Sequence, residues 1–249
     1  MLQRSDRLIE GDVAGGINNR LLAALSSEEL QPLVSRLVDV ALASGQILAA
    51  PYASLKYGYF ITSGMASASM FMLNGAVIGA HVIGSEGFVG LPLIFGTTEM
   101  EPATKMMQIP GRALRIQAAD FLQAFNRAGR FQTVMRRYGL ASLEAIMQSA
   151  ACNSLHPAQQ RMARCLLEAA DRAGTEFHIT HDAIAHMLGN RRATITSEAE
   201  KLQCMGIIRL GYRRIVILER RKLEELACEC YKIGKDTIEK VFAAKDEAT

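Results

Sequence analysis

The sequence predicts an α+β protein built in three successive parts: an antiparallel sandwich or roll of short strands, a long helix, and a C-terminal winged helix-turn-helix. Three observations carry this. Between Val38 and about Ile116, short apolar segments alternate with glycines at Gly45, Gly58, Gly64, Gly75, Gly84 and Gly111, the texture of repeated strands joined by turns. From Ala118 to about Ala173 the apolar residues recur at helical spacing. Near the end, "HMLGNRRATITSEAEKLQCMGIIRL" (His186 to Leu210) reads as two helices split at a glycine and followed by a strand.

Taken in order, the chain opens with a polar leader and then the helical stretch "NNRLLAALSSEELQPLVSRL", where Ser26 or Ser27 is placed to cap the second helix and Glu28 and Glu29 lie in its first turn. The strand region contains "LNGA" (Leu73 to Ala76), whose Asn-Gly pair is a strong hairpin signal. The longest helical segment, "RFQTVMRRYGLASLEAIMQSAACNSLH", carries two apolar stripes. One runs through Phe131, Val134, Tyr138, Ala141, Ala145, Gln148 and Cys152, the other through Leu140, Leu143, Met147 and Ala150. Two stripes mean two burial surfaces, one for the helix's own domain and one for a partner helix. Pro157 marks the next boundary. After it come a helix over Ala158 to Ala173, a strand "EFHIT", the helix "HDAIAHML", a turn at Gly189-Asn190, and the helix "RRATITSEAEKLQCM". Strands "GIIRLG" and "RRIVILE" and one amphipathic helix, "RKLEELACECYKIGKDTIEKVF", complete the chain.

Composition narrows the class. The chain has 249 residues, 49% apolar and 21% charged, in the range of a globular protein with room for two modest domains. A net charge of +3 neither demands nor excludes a nucleic-acid partner, so the placement of the charge decides. Of the five cysteines, Cys152, Cys165, Cys204, Cys228 and Cys230, none belongs to a C-x-x-C pair. No metal or iron–sulfur spacing is visible, no metal ligands and no cofactor are assigned, and buried thiols are expected. Cys228 and Cys230, placed on one helix, would face different ways and are read as packing rather than as a redox switch. Without a signal-like apolar core or a spanning segment, a cytoplasmic protein with no membrane partner is expected. No P-loop, G-x-S-x-G or H-E-x-x-H occurs, which argues against an enzyme.

The charge is placed where the helix-turn-helix needs it. Ile184, Ala185, Leu188, Ile195, Ala199 and Leu202 form an apolar seam that can pack on Met162 and Leu166. The outward positions left on the second helix are Arg191, Arg192, Thr194, Thr196, Ser197 and Lys201, side chains suited to phosphates and base edges. Arg209, Arg213 and Arg214 carry the charge into the wing, followed by Arg220, Arg221 and Lys222, and only Glu198, Glu200 and Glu219 oppose them. That is the electrostatic footprint of a surface for double-stranded DNA.

"HDAIAHMLGNRRATITSEAEKLQCMGIIRL" resembles, without gaps, the helix-turn-helix signature of the Crp/Fnr family of bacterial transcription regulators, with its glycine turn, Arg192, Thr194 and Gly-Ile-Ile. The resemblance extends over almost the whole chain. It implies a jelly-roll-like antiparallel β-roll sensor over 17–118, with "GFVGLPLIFG" as phosphate cassette. Connecting helices over 119–155 would include a dimerisation helix from Arg130 to Leu155, and a DNA-binding domain would occupy 156–249. It further implies a homodimer on a palindromic operator, RNA polymerase as partner, and a small-molecule or redox effector of unknown identity.

The effector pocket departs from the family. Gly90 is kept, but the family's ribose-binding glutamate falls on Leu91, its phosphate-binding Arg-Ser pair on Glu101-Pro102, and its base-contacting hydroxyl pair on Ile146 and Met147. Cyclic AMP is therefore not the expected signal. The N-terminal cysteines of the oxygen-sensing branch are missing, and His81 is read as structural rather than as a haem ligand. In the reader helix, the family's Arg, Glu and later Arg become Arg192, Ala193 and Ser197, so a different operator is expected. The rival reading is a ligand-binding module that acts through protein partners rather than DNA.

Overall fold

The computed structural model describes residues 17–99 and 102–243. Asn19 opens the first helix, α1 (Arg20–Ala23), its Oδ1 accepting from the Leu21 and Leu22 amides. The same buried side chain donates to the carbonyls of Ile61 and Gly87, fastening α1 to the sheet. Ser26, one of the two expected serines, caps α2 (Ser27–Val34). Then follow β1 (Val38–Leu42), β2 (Ile47–Ala49), β3 (Tyr57–Phe71), β4 (Val77–Ile83), β5 (Phe88–Val89), α3 (Leu91–Ile94) and β6 (Thr104–Gln117). The strands form one antiparallel sheet in the order β1-β6-β3-β4, with β2 also on β6 and β5 on β3. The expected Asn-Gly hairpin joins β3 to β4: Met72 and Ala76 pair across it and Gly75 takes φ +81°.

Two strands are longer than the glycine punctuation suggests. β3 runs through Gly64 and β6 through Gly111, where turns between separate strands were expected. A Cβ on Gly111 would lie 2.0 Å from the Ser63 carbonyl oxygen, and Gly64 has φ +79° beside Ile109 and Pro110. The register of the pair shifts around Ser63 and Met65. These glycines allow close approach and bending inside two continuous strands, which is how the sheet rolls over on itself.

Beyond the roll come α4 (Ala118–Phe125), α5 (Arg130–Leu155), α6 (Ala158–Ala173), β7 (Glu176–His178), α7 (His181–Leu188), α8 (Arg192–Cys204), β8 (Ile208–Gly211), β9 (Arg214–Ile217), α9 (Arg220–Leu226) and α10 (Cys230–Ala243). β7, β9 and β8 make a second antiparallel sheet. The single final helix expected from the sequence is two, because Ala227 adopts an extended backbone and ends α9. That break turns α10 back onto α5. Arg20 on α1 pairs with Glu239 at 2.8 Å and lies over the Phe242 ring, and Val241 joins the core of the roll. α10 thus spans both parts of the molecule, with Tyr231 in the C-terminal core and Val241 in the core of the roll.

The roll is filled by a cluster of phenylalanines, Phe60, Phe88, Phe121 and Phe131, in which Phe88 and Phe121 stack with ring centroids 4.8 Å apart and Phe131 meets Phe121 edge-on. The C-terminal core buries Met162, Leu166, Ile184, Ala185, Leu188, Ile195, Ala199 and Leu202, and takes in Met65 and Ile109 from the roll. The two halves dock through α7 on β4. A Cβ on Gly79 would lie 2.5 Å from the Met187 carbonyl oxygen, so only glycine permits this approach. Across the same boundary Arg172 of α6 forks onto Glu86 at 2.6 and 2.9 Å, both side chains largely buried.

Candidate nucleic-acid interface and sensor cavities

The position of α8 is set by its neighbours. Thr180 caps α7, its hydroxyl accepting from the Ala183 amide. Gly189 then ends α7 in the left-handed region at φ +58°, and the Asn190 amide returns to the Ala185 carbonyl. The chain turns sharply enough for α8 to begin at once. With Ile195, Ala199 and Leu202 fully buried, the opposite side of α8 must face out. Arg191, Arg192, Ser197 and Lys201 are exposed, and Thr194 and Thr196 are half-buried. Arg192 rests against Asp182 at 3.2 Å, Thr196 contacts the His181 ring nitrogen at 3.0 Å, and Lys201 pairs with Glu198. The Arg192 pair is exposed on both sides and so contributes little, which leaves the guanidinium available to a stronger acceptor.

The wing places its charge at a tip. Gly211 pairs with Arg214, so Tyr212 and Arg213 form a two-residue loop in which Arg213 has φ +52°. Arg213 is exposed, and its carbonyl accepts from the Ile179 amide, tying the tip to the strand before α7. Arg214 pairs with Glu176 at 2.8 Å. Arg220, counted among the basic residues of this surface from the sequence, turns inward instead to Asp171, Glu224 and the Tyr231 hydroxyl. Tyr212, 92% exposed beside Arg213, was missed; the signal was an aromatic residue between the two strands.

In the roll, the structure brings Gly90, Leu91 and Ile146 to the wall of one cavity, together with His81, Lys105, Tyr138 and Ser142. Gly90 holds φ +142° where β5 passes into α3. Met147 is not part of this group: it points outward on α5 and is 64% exposed. Glu101 lies outside the described residues. Lys105, buried on β6, also lines the cavity; no sequence motif marks it. The cavity is about 20 Å³. Tyr138 from α5 lines it, its hydroxyl donating to the Phe88 carbonyl at 3.2 Å, and burial pushes its pKa up to about 12.

His81 is half-buried, and its Nε2 is shielded from solvent with no hydrogen-bond partner among the described residues. Burial first, then the Arg172 charge, push its pKa down to about 4. Beneath it a larger cavity of about 340 Å³ opens between β4, α5, α6 and α10, walled by His81, Glu86, Arg164, Arg172, Tyr231 and Glu239. Burial alone would raise Glu86, but Arg172 and backbone donors hold its carboxyl below the usual range. The wall is thus charged, and the cavity reaches the size of small-molecule sites.

The structure also gathers four side chains that spacing did not connect: Cys152 and His156 at the end of α5 with Cys228 and Cys230 before and at the start of α10. The expectation that the last two thiols diverge on one helix does not hold, because Cys228 lies in the break before α10.

A model of the Crp-like helix-turn-helix domain matches residues 160–226. No curated protein matches the chain by sequence. Among solved structures, a candidate transcriptional regulator of the Crp/Fnr family from Eubacterium rectale superposes with TM-score 0.64 at 20% identity, over 83% of this chain and 96% of its own. FixK2 from Bradyrhizobium japonicum gives 0.61 at 14% identity, over 77% and 98%. The c-di-GMP responsive global regulator CLP of Xanthomonas campestris gives 0.60 at 15% identity, over 77% and 99%. No helix among the described residues is long and apolar enough to cross a membrane.

Proposed function

We infer from the Crp-like helix-turn-helix domain of residues 160–226, carried on the fold of Crp/Fnr regulators, that this chain regulates transcription by binding a palindromic DNA operator as a homodimer. The observation that carries the reading is the division of α8 into a sealed inner side and an open outer side bearing Arg191, Arg192, Ser197 and Lys201, with Arg213 on the adjacent wing tip. A recognition helix needs that division to enter the major groove. In this reading Arg192 contacts a base, Thr194, Thr196, Ser197 and Lys201 complete the face, and Arg191, Arg213 and Arg214 hold phosphates.

Dimerisation is supported by α5, whose second stripe of Leu140, Leu143 and Met147 stays exposed after the chain has folded and α10 has packed on another side. Two-fold symmetry would put half-sites about 34 Å apart. RNA polymerase is the partner expected of such a regulator. For the effector, the roll's own cavity of about 20 Å³ has no room for a nucleotide, whereas the 340 Å³ cavity touches both halves of the molecule. Selection from a random duplex pool with the full chain tests the whole reading. Enrichment of an inverted repeat supports it, and no enrichment with intact folded protein favours a module that works through protein partners.

A further inference from the structure

The geometry points to a binding site for a single thiophilic divalent cation of the zinc type, held by Cys152, His156, Cys228 and Cys230. Their ligand atoms all lie within 4.8 Å of one another. The Cys152 and Cys228 sulfurs are 3.6 Å apart, and the Cys230 sulfur is 3.6 Å from His156 Nδ1. A tetrahedral zinc with bonds of about 2.3 Å to sulfur and about 2.0 Å to nitrogen sets edges of about 3.8 and 3.5 Å. The four atoms therefore already stand near the corners of such a site. They are too close for a multi-iron cluster, whose cysteines bind different irons, and 3.6 Å is far longer than a disulfide bond of about 2.05 Å.

Three further features belong to a metal site rather than to packed thiols. His156 turns Nδ1 toward the sulfurs while its Nε2 meets the Glu229 carboxylate at 3.2 Å. A proton on Nε2 leaves the Nδ1 lone pair aimed into the cluster, the outer partner that ligating histidines characteristically have. The three cysteines are buried, in a small cluster of their own apart from the large cores. Arg161 and Arg164 lie within electrostatic reach of Cys152 and Cys228, opposing the net negative charge that three thiolates and one divalent ion would carry. The ligands also join two distant pieces of chain. Cys152 and His156 end α5 and Cys228 and Cys230 lead into α10, so the ion would rivet α10 to the helix that runs between the two halves.

The test uses the full chain, reduced and freed of metal by a chelator, then titrated with cobalt(II) and with zinc. We expect one cobalt per chain, with the strong visible bands of tetrahedral coordination and a sulfur-to-metal charge-transfer band, both removed stoichiometrically by zinc. Cys228→Ser and Cys230→Ser should each abolish the charge-transfer intensity of one thiolate and weaken binding at least tenfold. Glu229→Gln, on an exposed side chain that leaves the core intact, should weaken zinc by about 10- to 100-fold. Cys204→Ser, exposed and remote, should leave binding unchanged. Amide exchange in α10 should accelerate when the metal is removed. An octahedral cobalt spectrum, no binding by the reduced protein, or binding indifferent to Cys228→Ser and Glu229→Gln overturns the site. The outcome is independent of DNA selection, so either reading can fail alone.

Discussion

Arg192 and Arg213 occupy the same surface and are expected to act differently. Arg192 stands on the first turn of α8, where its planar fork can meet a guanine edge, while Arg213 sits at a loop tip with a fixed, positive φ. Arg192→Ala should cost about 1–3 kcal/mol per half-site and relax preference at one base pair. Arg213→Ala should weaken all sequences alike and reduce the slope of affinity against salt. Fluorescence anisotropy on matched and mutated operators at several salt concentrations checks both, and an unchanged sequence preference in Arg192→Ala would refute the assigned register. His81 makes a separate prediction. Its neutral ring is half-buried with its pKa pushed down to about 4, against an ordinary value near 6.5 in the unfolded chain. Below about pH 6.5 the unfolded state therefore binds the extra proton, and stability falls as pH is lowered toward 4, by about 3 kcal/mol in all. Urea midpoints measured from pH 7 to 4 should show this drop, and His81→Leu should flatten it.

At the scale of elements, α5 carries the proposal of a dimer. Its first stripe is consumed by the roll, with Phe131, Val134 and Tyr138 buried, and α10 lies along another side. Leu140, at 60% exposed, and Met147 remain uncovered, a stripe a single chain has no use for. Met147→Glu places a charge there without touching the core, so the folded chain should sediment as a monomer at micromolar concentration while the wild type sediments as a dimer. A wild-type monomer, with and without DNA, would rule out the helix as an interface. Inside the chain, the seat of α7 on Gly79 and the Arg172–Glu86 pair of α6 set where α8 points relative to the roll.

For the molecule as a whole, the signal is the open term, and the packing of the roll limits it. Cyclic AMP and cyclic GMP would have to enter a space of about 20 Å³, lined by Leu91, Ile146 and Tyr138. Nucleotide-sized sites need roughly 300 Å³ or more. Calorimetric titration with either nucleotide should show no binding at micromolar concentrations, and a micromolar Kd would contradict the structure as well as the sequence argument. Lys105 adds a cationic group to the cavity wall, but the space is too small for either nucleotide whatever the charge of its lining.

What the sequence determined by itself was whatever repeats locally. The seam from Ile184 to Leu202, the glycine turn at Gly189 and the outward row from Arg191 to Lys201 follow from a 3.6-residue period and one capping residue, so they were legible along a single stretch of chain. The two stripes of α5 were legible for the same reason, although which one stays open depends on α10. Only the tertiary structure decided the rest. Gly64 and Gly111 look like turns until two long strands are seen to cross at them. Met147 leaves the pocket because a helix cannot send adjacent residues to one side. Cys152 and Cys228, separated by 76 positions, meet because α9 breaks at Ala227 and α10 folds back. Local periodicity specifies which side of an element is apolar; it carries no information about which distant element will cover that side, since that is settled by the packing of the whole chain.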